Sequence, residues 1–296
     1  MRFEKWQALG NDYLIVEQAQ LAFELTAARV RLLCDRHCGA GSDGVLLLSP
    51  PREGADVADL RIFNPDGSEA ELSGNGARQA LVYLRRRGWT AGDSLSIHTV
   101  AGRIAATITG EFACRVEMGH ARLQSDDFPG GAADGRGELN VAGAPPWRFQ
   151  HVSIGNPQCA IHVAEPSALE ALDLTAIGPP IEGHVAFPNR TNVSWYSGVD
   201  PGPPARIRAR IFERGVGETR SSGTGACAAA VAYLLAARGG AGQNATPVGQ
   251  ITVELDGGEL EVQVDADLSV ALAGWALPVF EGRLDEQLLA ELRAAT

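Results

Sequence analysis

One motif occurs twice in this chain of 296 residues, and that repetition restricts the fold more than any other feature. Ile62 to Val82 (IFNPDGSEAELSGNGARQALV) lies without a gap over Ile211 to Val231 (IFERGVGETRSSGTGACAAAV) at an offset of 149 residues. Ile62 meets Ile211, Phe63 meets Phe212 and Glu69 meets Glu218. Ser73-Gly74-x-Gly76-Ala77 meets Ser222-Gly223-x-Gly225-Ala226. Two copies of one motif in a chain long enough for about two domains predict a duplicated architecture with two related half-sites.

The text around the two copies repeats as well. In the first half, Phe3 to Val16 reads as strand broken by the turn Leu9-Gly10-Asn11-Asp12. Leu25 to Cys34 has helical spacing with Thr26 near its start, and Val45 to Leu48 and Leu60 to Phe63 are buried strands. Ala77 to Arg87 is helical and Gly88 ends it. Leu95 to Ile108 is a hairpin around Ala101-Gly102, and Arg115 to Met118 continues the strands. Ser125 to Pro146 is rich in Gly, Pro and Asp and is expected to be a long connection between halves. In the second half Ile154-Gly155-Asn156 echoes Leu9-Gly10-Asn11. Ile251 to Val264, around Asp256-Gly257-Gly258, echoes the hairpin, and Gly274-Trp275-Ala276 echoes Gly119-His120-Ala121. Leu284 to Ala295 is an amphipathic helix with no counterpart, expected to pack back on the first domain. The expected fold is α+β: two similar domains, 1–118 with 278–296 and 119–277, related by duplication, with the site in the cleft between them.

Composition excludes several functions. A net charge of −11, with no basic run beyond Arg85-Arg86-Arg87, argues against a nucleic-acid partner. Those three arginines close a helix, where cations suit the dipole. The N-terminal text MRFEKWQALGNDY has no apolar core of a signal peptide, and Ala226 to Ala237 is too short to span a bilayer. Five scattered cysteines fit reduced thiols, so the expected compartment is the cytoplasm. Cys34 and Cys38 have no second ligand pair at zinc-site spacing and are read as structural. No cofactor or metal is expected.

In each copy of the motif a strand ends in a polar turn, and Ser-Gly-x-Gly then opens an Ala-rich helix. Serine is a favoured N-cap, and exposed N–H groups at the positive end of a helix bind anions. Taken singly, each serine is a cap and each glycine a tight turn. The duplication adds an asymmetry to that bland reading. The polar turns differ, with Asn64 and Asp66 in one copy against Glu213 and Arg214 in the other, while Asn11 and Asn156 recur in matched turns. An asymmetric polar set on a symmetric scaffold suits an asymmetric small molecule.

These residues, taken together, resemble the diaminopimelate epimerase family over essentially the whole chain. The resemblance rests on Gly10-Asn11-Asp12, on Asp35-Arg36-His37 with Gly39-x-Gly41-x-Asp43-Gly44, and on Phe63-Asn64-x-Asp66-Gly67-Ser68-Glu69. It continues through Gly74-Asn75-Gly76-x-Arg78, Gly155-Asn156-Pro157, Asn192-Val193, Glu213-Arg214-Gly215-x-Gly217-Glu218-Thr219 and Gly223-Thr224-Gly225. It implies a cofactor-independent epimerase, a homodimer, that interconverts LL- and meso-diaminopimelate by two-base proton transfer. The family's two catalytic cysteines fall on Ser73 and Ser222. The resemblance puts the α-carboxylate on the N–H groups of Gly74-Asn75 and Gly223-Thr224. It puts the distal end of the substrate on Asn11, Asn64, Asn156, Asn192, Glu213 and Arg214.

The chain departs from the family at both base positions, which are serine, and at Gln158, where the family has histidine. A serine hydroxyl ionises far less readily than a thiol and needs an adjacent base. Three readings follow, in this order: an epimerase with serines as its bases, a related amino-acid isomerase with another substrate, and a paralogue that binds such ligands without turnover.

Overall fold

The computed structural model describes residues 1–52, 54, 56–141, 145–238 and 248–295. They divide into two compact units, Met1–Val116 with Gly274–Thr296, and Glu117–Ala273. The expectation had set the divisions at 118/119 and 277/278.

In the first unit the chain opens as an antiparallel pair, Arg2–Ala8 with Asn11–Glu17. Its turn needs left-handed backbone at Leu9 (φ 54°) and Gly10 (φ 83°), a conformation glycine adopts without strain. The helix Ala27–Cys34, capped by the Thr26 hydroxyl, carries the chain over to Val45–Ser49, which lies parallel to Asn11–Glu17. Ala58–Phe63 is antiparallel to that strand. The helix Gly74–Arg86 then crosses to Ser94–Thr99, parallel to Ala58–Phe63, and Gly102–Gly110 closes the hairpin. Gly88 (φ 75°) ends the helix as expected. The last strand, Leu277–Arg283, returns from the far end of the sequence and pairs antiparallel with Arg2–Ala8.

Every residue of the Gly74–Arg86 helix from Asn75 to Leu84 is buried. It packs on Arg2–Ala8 as well as on Gly102–Gly110, strands toward opposite sides of the sheet, so the sheet curls around it. The outer face of that sheet holds a second apolar cluster. Phe3, Leu14, Val45 and Phe63 meet Val30 and Leu33, together with Leu284, Leu289 and Leu292 from the terminal segment. The terminal helix Glu286–Ala294, capped by Asp285, therefore packs on the first unit.

The second unit repeats this order. Trp147–Ser153, Pro157–His162 and Asn192–Asp200 correspond to the first three strands, with the same antiparallel and then parallel pairing. Ala205–Glu213 follows, and the helix Gly223–Arg238 crosses to Gly249–Leu255 and Gly258–Val264. One expectation fails here. Ser125–Pro146, read as a long connection, contains the strand Arg136–Leu139, which pairs with Trp147–Ser153. Leu139 is buried in the core, and the Phe149 ring lies so close to Gly137 that a Cβ there would meet it at 2.5 Å. One apolar side chain and one covered glycine suffice for an edge strand, a pattern too sparse to stand out among glycines and prolines. This strand takes the place that Leu277–Arg283 takes in the first unit.

Candidate active site

Both copies of the motif end a strand and open a buried helix, and packing fixes where each helix begins. Gly225 presses on the strands beneath it, since a Cβ there would meet Ile211 Cδ1 at 2.6 Å and Ser194 Oγ at 3.1 Å. Gly76 is closer to ordinary contact, 3.1 Å from Leu46 Cδ2. The shared acids are structural. Arg61 binds Glu69 at 2.8 Å, and Arg210 binds Glu218 at 2.6 Å, pinning each strand to the short return after its turn.

In the first unit Ser73 is the N-cap of its helix, and its Oγ accepts from the Gly76 N–H at 3.0 Å. The same oxygen accepts from the Tyr13 hydroxyl at 3.3 Å. Arg78, fully buried, donates to Asn75 Oδ1 at 2.5 Å and to the Gly74 carbonyl at 3.3 Å, which stiffens the first turn. Gln79 from the same helix donates to the Asn11 carbonyl at 3.0 Å. The Asn11 amide donates to Asp43 at 3.1 Å, and Asp43 also takes the Asp12 N–H at 3.0 Å. Lys5 and Arg36 neutralise this acid pair, Lys5 at 2.7 Å from Asp12 and Arg36 at 2.7 Å from Asp43. Burial raises Asp12, but the bonds from Lys5 and Arg36 outweigh it and hold the carboxyl below its ordinary value. Burial and the neighbouring Asp12 charge hold Asp43 above its own. Asn64 turns its amide onto Ser68 Oγ, 2.9 Å away within its own turn.

The second unit is wired differently. Ser222 is buried, accepts from the Gly225 N–H at 3.3 Å, and donates to Glu213 Oε2 at 3.2 Å. Thr219 donates to the other oxygen, Glu213 Oε1, at 2.7 Å. Burial pushes the Glu213 carboxyl above its ordinary value, with the two hydroxyl bonds pulling the other way. Arg214 directly follows Glu213 but does not turn to it. Instead the Arg214 guanidinium donates to the Asn189 carbonyl at 2.9 Å. Its turn is held from behind, the Arg214 N–H by Asn192 Oδ1 at 2.9 Å and the Gly215 N–H by buried Glu182 at 2.8 Å. Asn192 spends its other amide atom on the Pro157 carbonyl at 3.1 Å, so this side chain braces backbone. Thr224 Oγ1 accepts from Gln158 at 3.1 Å and Asn156 at 3.3 Å, which gathers all three at the helix start. Gly223 and Thr224 occupy the first helical positions, whose N–H groups have no acceptor within the helix.

Each unit therefore assembles its own set: Asn11, Gly74 and Asn75 around Ser73, and Asn156, Glu213, Gly223 and Thr224 around Ser222. Asn64 occupies the place in the first copy that Glu213 holds in the second, an amide against a carboxylate. Sequence reading missed Tyr13, Thr219, Asp43 and Glu182. Tyr13 directly follows Gly10-Asn11-Asp12, and Thr219 closes the Glu213 motif, so both stood beside the residues singled out. Cys34, Cys114, Cys159 and Cys227 are buried, whereas Cys38, read as structural, is exposed. Among the described residues no group of three or more His, Cys, Asp or Glu is placed to hold a metal ion, and no helix is long and apolar enough to cross a membrane.

The sequence pattern of the diaminopimelate epimerase family matches residues 3–124 and 150–274, both halves of the duplication. The chain belongs to the diaminopimelate epimerase family. It is 41% identical over 292 residues to a diaminopimelate epimerase of Synechococcus sp. (strain JA-2-3B'a(2-13)), covering 95% of this chain and 97% of that protein. A diaminopimelate epimerase of Synechococcus sp. (strain JA-3-3Ab) is 42% identical over 294 residues, covering 97% and 99%. The fold extends beyond the family. A Bacillus anthracis phenazine biosynthesis protein of the PhzF family matches with a TM-score of 0.68 at 18% identity, covering 96% of this chain and 99% of that one.

Proposed function

We propose that this chain is a cofactor-independent diaminopimelate epimerase in which serines carry the two-base proton transfer. The observation that carries the reading is the Ser222–Glu213 contact of 3.2 Å. A serine needs an adjacent base, and a carboxylate with a raised pKa is one. In the proposed reaction the α-proton passes to Ser222 Oγ as the serine proton passes to Glu213 Oε2. The charge left on the substrate spreads into its α-carboxylate, which the N–H groups of Gly223 and Thr224 stabilise. Ser73 returns a proton to the opposite side of the same carbon. Tyr13 and Gly76 both donate to Ser73 Oγ and so stabilise the charge its departing proton leaves behind. Arg214 binds the distal carboxylate, a role its planar fork suits. Asn11, oriented by Asp43, and Asn156, oriented by Thr224, take the remaining polar groups. The protein acts in the cytoplasm as a homodimer.

A second reading, ligand binding without turnover, is favoured by one observation. The bonds that reach Ser73 Oγ from Tyr13 and Gly76 both come from donors, not from a base. Exchange of the substrate α-proton with deuterated solvent separates the two. The epimerase reading expects exchange and inversion by the wild type, lost on Glu213→Gln. Tight binding of LL-diaminopimelate with no exchange, and gain of exchange in Ser73→Cys/Ser222→Cys, would establish the binding reading instead. If neither form binds diaminopimelate, the substrate assignment is wrong.

A further inference from the structure

A cavity of about 660 Å³ opens in the first unit, away from the residues around Ser73. Its floor is the sheet face where Arg2–Ala8 lies between Asn11–Glu17 and Leu277–Arg283, and the end of the Gly74–Arg86 helix closes one side. The second unit holds its counterpart, of about 540 Å³, at the matching place. Strand register fixes the equivalence. Arg2, Phe3 and Glu4 pair with Arg283, Gly282 and Glu281. Arg148, Phe149 and Gln150 pair with Glu138, Gly137 and Arg136. In both units the phenylalanine ring covers the glycine opposite, where a Cβ would meet it at 2.7 Å in the first unit and 2.5 Å in the second.

The charges on these matched frames differ. In the second unit Arg148 faces Glu138, an ion pair at 3.4 Å, and Gln150 faces Arg136. In the first unit like faces like twice, Glu4 against Glu281 and Arg2 against Arg283. Like charges directly opposite one another destabilise a ladder. The acidic pair is closed from within the protein, because Arg87 binds Glu281 at 3.0 Å and Glu4 as well. The second unit, with no acidic pair to bridge, has Ala236 at the position matching Arg87. The basic pair has no such bridge among the described residues. Arg283 reaches only Glu286, at 3.4 Å on the open surface, and Arg2 makes no ion pair. The remaining acid lining the cavity, Glu17, already accepts from the Tyr83 hydroxyl at 2.8 Å and the Trp89 ring N–H at 3.3 Å.

We propose that the missing bridge is a small dianion, and that this cavity binds a metabolite whose phosphate or paired carboxylates lie between Arg2 and Arg283. The arrangement inverts the one beside it, where a cation lies between Glu4 and Glu281. Guanidinium groups bind such oxyanions through two parallel hydrogen bonds, and the volume is that of a small-molecule site. The site is independent of the epimerase reading, since it shares no residue with either serine set.

Inorganic phosphate and succinate are the probes, titrated into the full chain by calorimetry and followed by thermal unfolding. The expected result is one saturable site, with a Tm that rises with probe concentration. Arg283→Glu recreates the ion pair of the second unit. It is expected to raise the Tm without anion and weaken probe binding at least about tenfold, the loss of one charge-assisted contact. Arg2→Gln is expected to weaken binding similarly. Tighter binding of phosphate assigns a phosphate ester and tighter binding of succinate a dicarboxylate. Either assignment requires that diaminopimelate leave the probe in place. Absence of saturable binding overturns the proposal. So does binding unchanged in both variants, displacement by diaminopimelate, or a lower Tm for Arg283→Glu.

Discussion

Ser73 and Ser222 occupy matched positions, yet the bonds around their oxygens run in opposite senses. Ser222 gives its proton to a carboxylate, and Ser73 takes bonds from a phenol and an N–H. The difference lies in the residue directly after each motif's phenylalanine: Glu213 after Phe212 in one copy, Asn64 after Phe63 in the other. Replacing Glu213 with Gln leaves Ser222 without a base, and α-proton exchange should fall by about 10²–10⁴-fold, the usual worth of a general base. The same variant tests a pH dependence. Burial raises the Glu213 pKa above the ordinary 4.5, so its neutral form is favoured in the folded chain. Its contribution to stability is fully present below pH 4.5 and is lost as pH rises through the folded value. Activity runs the other way, with an acid limb above pH 4.5 that vanishes in Glu213→Gln, while urea midpoints near neutral pH rise. An unchanged acid limb would assign it to another group.

At the scale of elements, the start of each helix is set by what lies under a glycine. Gly225→Ala drives a Cβ into Ile211 and Ser194, a clash worth about 1–3 kcal/mol that also lifts Ser222 and Thr224 from their partners. Gly76→Ala meets only the tip of Leu46 and the Ser73 side chain, and helix propensity offsets part of the strain, so its stability should stay within about 1 kcal/mol of wild type. Paired thermal melts of the two variants give the contrast, and equal losses would contradict it. The turn carrying Arg214 depends on Glu182, whose carboxylate also binds Arg190, a residue held at φ 62°. Glu182→Ala should raise KM for LL-diaminopimelate about tenfold, one charge-assisted bond, with much less change in kcat. Glu182→Gln, which keeps an acceptor for Gly215, should recover most of it. A parallel fall in kcat would mark general unfolding instead. Much of this was legible in the text. Thr26, Ser73 and Gly88 marked helix ends, and the repeat placed both serines. The partners of Glu213 and Arg214 were not legible, because side-chain direction depends on strand register and on distant residues such as Asn189 and Asn192. The edge strand Arg136–Leu139 was hidden because its evidence, a covered glycine, exists only once Phe149 is folded over it.

At the scale of the molecule, the duplication is completed in two different ways. The second unit draws its edge strand from the residues just before it. The first draws Leu277–Arg283, and with it the buried Leu284, Leu289 and Leu292, from the other end of the chain. Ending the chain at residue 273 should therefore unfold the first unit, since three buried leucines alone contribute about 1.5–3 kcal/mol each. The second unit should keep its amide protection in hydrogen exchange. Retained protection in Asn11–Glu17 would show that the first unit does not need its borrowed strand. The same feature bears on how the protein is made. Ribosomes release the first residues first, and domains ordinarily fold in that order. Here the opening strand waits, one edge unpaired, until the whole second unit has been made and Leu277–Arg283 leaves the exit tunnel. The half that is synthesised first is the half that can be completed last.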